Sequence, residues 1–97
     1  MSKVEHMVWA RFHEGVSEAE KESFLQAVRD FDGSVPGILD IKAGKNFTDH
    51  SDGYTHGWTI TFECREALVA YGSHPSHLKL ADPLLKAAEL VKMDIEF

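Results

Sequence analysis

The sequence predicts an α+β fold in the order strand-helix-strand-strand-helix-helix-strand: one antiparallel sheet with helices on one face, its other face covered by a second copy of the chain. Three observations carry this expectation. Several segments alternate apolar and polar residues with the two-residue period of a strand. A Ser17-x-x-Glu20 string opens a stretch with helical spacing. Met7 and Trp9 lie opposite a strand face that is already apolar, so both sides of the sheet need cover.

Val4 to Phe12 place Val4, His6, Val8, Ala10 and Phe12 on one face and Glu5, Met7, Trp9 and Arg11 on the other. The capping box at Ser17 predicts a helix from about Glu18 to Phe31, with Phe24, Ala27, Val28 and Phe31 as its buried stripe and Glu20, Lys21, Arg29 and Asp30 in water. The run Asp32-Gly33-Ser34-Val35-Pro36-Gly37 ends it, because Gly frees the backbone and Pro holds its predecessor extended. A second strand, Ile38 to Asn46, sets Leu39, Ile41 and Ala43 against Asp40, Lys42 and Gly44. After the polar loop Thr48 to Gly53, the segment Tyr54 to Phe62 alternates most strongly, with Tyr54, His56, Trp58, Ile60 and Phe62 on one side. Arg65 to Tyr71 has the spacing of a short helix with Leu68 and Tyr71 together, and Pro75 and Pro83 each suit the first turn of a further helical segment. Val91 to Phe97 alternates again and closes the sheet.

Composition bounds the function. A chain of 97 residues has room for one core, so residues 1–97 read as a single domain, and 43% hydrophobic with 27% charged residues describes an ordinary folded protein. A net charge of −6 without a Lys or Arg cluster argues against nucleic acid and anionic membrane surfaces as partners. No run approaches the roughly 18 apolar residues of a membrane span, and no signal-peptide core follows Met1, so the expected location is the cytoplasm. Cys64 is the sole cysteine, which leaves packing and association to supply stability.

Chemistry points to the histidines. Of the six, His6, His56, His74 and His77 fall near elements expected to pack around one cleft, with Tyr54 and Tyr71 beside them. Imidazole exchanges protons near neutrality and a tyrosine hydroxyl can hold a carbonyl oxygen, which suits general acid-base work. Against this, a histidine on an apolar strand face is more often a satisfied core residue, and His74 could instead cap a helix start. His13 and His50 read as surface residues. His74-x-x-His77 with His6 or His56 would give three metal ligands, but no carboxylate accompanies the pair at a metalloenzyme spacing, so no metal is expected. No Gly-x-Ser-x-Gly turn supports a serine nucleophile. Cys64, expected to face away from the apolar set, reads as a structural thiol.

The strand bearing His6, the Gly15-Val16-Ser17-Glu18 helix start, Val35-Pro36-Gly37, Gly53-Tyr54-Thr55-His56 leading to Thr61-Phe62-Glu63, and above all Tyr71-Gly72-Ser73-His74-Pro75-Ser76-His77 resemble the stress-responsive α/β-barrel (Dabb) domain family over nearly the whole chain. The resemblance implies a ferredoxin-like fold assembled as a homodimeric α+β barrel. Its polyketide cyclase members imply more: a cofactor-free aldol cyclisation with His77 as general base and Tyr71 holding the oxygen where charge develops. Substrate binding would then fall to His6, His56, His74 and Tyr54, around a small apolar or β-keto ligand. Those cyclases add a tyrosine from the first helix, whereas Leu25-Gln26-Ala27-Val28 offers none, which implies a different substrate. The alternative is a non-catalytic stress-response or ligand-binding barrel in which the same residues form a structural network.

Overall fold

A computed structural model describes residues 2–97. The strands are β1 (Val4–Phe12), β2 (Ile38–Lys45), β3 (His56–Phe62) and β4 (Ala88–Glu96), and the helices α1 (Glu18–Arg29), α2 (Arg65–Ser73) and α3 (Pro75–Ala87). The sheet is antiparallel, in the order β2-β3-β1-β4. This is the ferredoxin-like arrangement the sequence predicts.

Alternation in β1 and β3 is realised in register. His6 faces Ile60 and Val8 faces Trp58, so the even-numbered residues share the helix-covered side. There Val8, Ile60 and Phe62 meet Leu25, Val28 and Phe31, which forms the centre of the core. α1 begins as expected: the Ser17 hydroxyl accepts the Glu20 N–H at 3.1 Å and the Glu20 carboxylate accepts the Ser17 N–H at 3.2 Å.

Several local expectations are corrected. The buried stripe of α1 includes Leu25, and Arg29 reaches across to donate to the Ala43 carbonyl at 3.0 Å, tying α1 to β2 instead of facing only water. A bulge between Ile38 and Asp40 makes Leu39 the extra residue of β2, leaving it 53% exposed while Ile38 and Ile41 turn inward. Pro83 sits inside α3, not at the start of a new helix; the helix runs on through it, with Leu80 and Leu84 packed on the core on either side. Cys64 packs against the core, because the chain leaves β3 at Phe62 and Cys64 already forms the N-cap of α2.

β4 is where the two faces of the sheet diverge most. Leu90, Lys92 and Asp94 pair with Ala10, Val8 and His6 and share their inward side. Val91, Met93 and Ile95 pair with Trp9, Met7 and Glu5 and point away from the helices. Trp9 and Met93 are more than half exposed.

Candidate active site

The junction between α2 and α3 builds the site. Tyr71 lies on the buried side of α2, and two residues after it the helix stops. The His74 Nδ1 then accepts the Ser76 N–H at 3.1 Å and Pro75 occupies the first helical position, so α3 starts without a linker. This tight turn brings His77 back over Tyr71, with ring centroids 4.4 Å apart.

Beneath them is a cavity of about 300 Å³ walled by His6, Tyr71, His77 and Lys92 and by apolar side chains including Trp58 and Leu84. His6 and Tyr71 are nearly fully buried, and their ring centroids are 5.8 Å apart. His6 Nδ1–H donates to Asp94 Oδ1 at 2.5 Å, which orients the ring and leaves Nε2 available. His77 is oriented in the same way: its Nδ1 lies 3.0 Å from the Gly72 carbonyl, which can only accept, so the proton resides on Nδ1 and the Nε2 lone pair is free.

The electrostatics set different tasks for the two rings. Burial pushes the Tyr71 hydroxyl far above its ordinary pKa, and the negative charge of Asp94 adds to the shift, so the group is a hydrogen-bond donor at any working pH. Burial lowers the pKa of His77; the Gly72 carbonyl partly offsets this, while the charges of Lys92 and His6 lower it further. His77 is therefore neutral at pH 7 and able to accept a proton.

The expected convergence of six residues on one cleft is corrected. His6, Tyr71 and His77 meet; His56, His74 and Tyr54 lie elsewhere. His56 stands at the far end of β3, 5% exposed, with its ring edge-on to Phe12 and its Nδ1 2.7 Å from the Thr55 hydroxyl. Its Nε2 is buried without a partner, and burial, with Lys21 and Lys45 nearby, lowers its pKa. His74 is occupied as the cap of α3. Tyr54 precedes β3, so the strand period does not govern it: its ring lies beside Trp9 on the outer face, with the Arg11 guanidinium 4.7 Å from its centroid. A larger depression of about 560 Å³ borders Tyr54, His56 and Trp9, but it is open sheet surface and holds neither Tyr71 nor His77.

Two residues of the site escape the sequence reading: Asp94, which orients His6, and Lys92 on the cavity wall. Their signal was present in the alternation of β4, which sets Lys92 and Asp94 on the side opposite Val91, Met93 and Ile95.

Comparison with known proteins agrees with this architecture. Residues 4–97 match the family described as the Stress responsive A/B Barrel Domain. The chain is 32% identical over 81 residues to olivetolic acid cyclase of Cannabis sativa, covering 81% of this chain and 80% of that protein. Among solved structures it superposes on the hydroxynitrile lyase of Passiflora edulis with a TM-score of 0.90 at 20% identity, covering 98% of this chain and 93% of that one. A Bacteroides fragilis protein described as dimeric, of unknown function and ferredoxin-like gives 0.82 at 23% identity, over 98% and 96% of the two chains. At these identities the two structures establish the fold.

Proposed function

The chain belongs to the stress-responsive A/B barrel domain family, and from that premise we propose that it is a cofactor-independent, polyketide cyclase-like enzyme that moves a proton on a small β-keto substrate. The observation that carries this reading is the contact of His77 with Tyr71 on the wall of a cavity shared with His6. A carbon between two carbonyls is acidic enough for a neutral imidazole to deprotonate. His77 Nε2 takes that proton, and the Tyr71 hydroxyl donates to the carbonyl oxygen on which the enolate charge grows. If the chain is long enough to fold back, the enolate carbon bonds to a distal carbonyl carbon, whose oxygen takes the proton from His77. The cavity supplies proximity, and His6, steadied by Asp94, shapes the wall beside Tyr71.

The similarity to olivetolic acid cyclase supports the reaction class. The site here draws no tyrosine from α1, where Leu25 and Val28 are buried in the core, and the cavity of about 300 Å³ is at the small end for ligand pockets. Both features favour a compact substrate. The free thiol of Cys64 suits a reducing cytoplasm. Two copies pair through their outer sheet faces, each keeping its own cavity; the exposed apolar residues of β1 and β4 support this, as do solved relatives described as dimeric.

The test is deuterium exchange at the α-carbon of a 3-oxo ester, followed by proton NMR, together with cyclisation of short poly-β-keto chains. His77→Ala should lower both rates by about 10²- to 10⁴-fold above buffer background. Because the pKa of His77 is depressed, the wild-type rate should hold down to the ordinary histidine range near pH 6.5 and fall only in more acid solution, as the imidazole takes up a proton. Equal rates for wild type and His77→Ala would remove the proposed base.

A further inference from the structure

The cavity wall carries one formal charge. Lys92 is the only Lys, Arg, Asp or Glu among the residues lining it, although the chain as a whole has a net charge of −6. Lys92 makes no ion pair among the described residues, whereas its neighbour on the same strand face, Asp94, is engaged by His6. The placement is also asymmetric. His6, Tyr71 and Trp58 are buried and His77 is half-buried, while Lys92 and Leu85 are exposed, so the cation stands at the mouth, outside the Tyr71 hydroxyl and the His77 ring. Between the two ends the wall is apolar, with Leu80, Leu84 and Leu90.

We infer that Lys92 is a specificity residue that binds the carboxylate of an amphipathic acid, so that the substrate is a free keto acid whose anionic end stays at the mouth while its carbonyl enters toward His77 and Tyr71. This deepens the reading above and rests on that cavity being the ligand site. An uncharged ester or amide of the same length fills the apolar part equally well and lacks the ion pair. A cation at this position also disfavours positively charged ligands. At about 300 Å³ the cavity admits a short acid, and a bulky carrier attached through a thioester would have to remain outside.

The test separates binding from chemistry. Octanoate and octanamide are titrated into wild type, Lys92→Gln and Lys92→Arg, following the Trp58 indole and Gly72 amide signals by two-dimensional NMR, with circular dichroism to verify the fold. Wild type should bind octanoate more tightly than octanamide. Lys92→Gln should weaken octanoate about five- to tenfold and leave octanamide unchanged, while Lys92→Arg restores the difference. Salt should narrow the wild-type preference for the acid. Equal affinity for acid and amide in wild type, no octanoate binding at the cavity, or an unchanged preference in Lys92→Gln would each overturn the inference. Lys92-dependent acid binding without α-carbon exchange would uphold it while removing the enzymatic reading.

Discussion

At the residue scale, two histidines whose pKa values are both lowered by burial have different consequences. His77 borders a cavity, so its lowered pKa bears on the proposed proton transfer; His56 is packed beside Phe12, and its lowered pKa concerns stability. In the unfolded chain His56 takes a proton near pH 6.5, whereas the folded chain resists until more acid conditions. The unfolded state therefore binds more protons between those two points, and stability falls as pH drops through them. Replacing His56 with Leu should flatten that loss: the urea midpoint of the wild type should fall more between pH 7 and pH 5 than that of His56→Leu. Parallel midpoints would show that the unpartnered Nε2 has no such role. Alternation correctly puts His6 and His56 on one sheet face, but these residues lie on neighbouring antiparallel strands in a register that sends them toward opposite ends, and only the register reveals this. The Tyr71 to His77 string was legible because its spacing is local, across one helix junction.

At the scale of elements, the fold was legible wherever the period was long and clean, as in β1, α1 and β3. It was misread at Leu39 and Pro83, where a bulge and tertiary packing override local rules. Gly37 is the element-scale feature with the sharpest steric requirement. It enters β2 with φ of +85°, and a Cβ there would lie 2.6 Å from the Ala67 Cβ of α2. The backbone shape and the close approach both demand glycine. Gly37→Ala should destabilise the protein by about 2 kcal/mol or more, read as a lower thermal midpoint. Adding Ala67→Gly should recover the steric part and leave the conformational part. No change in midpoint would mean that α2 does not seat on the start of β2 as described.

At the scale of the whole molecule, the chain is a slab of 41 × 28 × 17 Å, with one layer of helices on one sheet. Its accessible surface of 6122 Å² exceeds the roughly 5,600 Å² expected for a folded monomer of 10.9 kDa. Much of what remains uncovered is apolar: Trp9, Val91, Met93 and Ile95 share the outer face. Fully burying each such side chain contributes about 1.5–3 kcal/mol before the cost of association. Wild type should sediment at twice the mass of one chain, and Met93→Glu should shift it toward the monomer, because a carboxylate would be buried without a partner. A wild type that sediments as a monomer at tens of micromolar would contradict pairing through this face.

β4 serves both faces at once, with Lys92 and Asp94 on the helix-covered side, where Lys92 lines the cavity and Asp94 holds His6, and with Val91, Met93 and Ile95 turned outward. It is also the last of these elements to leave the ribosome. Until it docks, β1 is an open edge, His6 has no Asp94, and the outward apolar face is only partly built. Docking of β4 consequently completes the cavity and the outward apolar face together. A chain whose β4 is undocked should lack the closed cavity and leave the β1 edge open to pairing with the wrong strand.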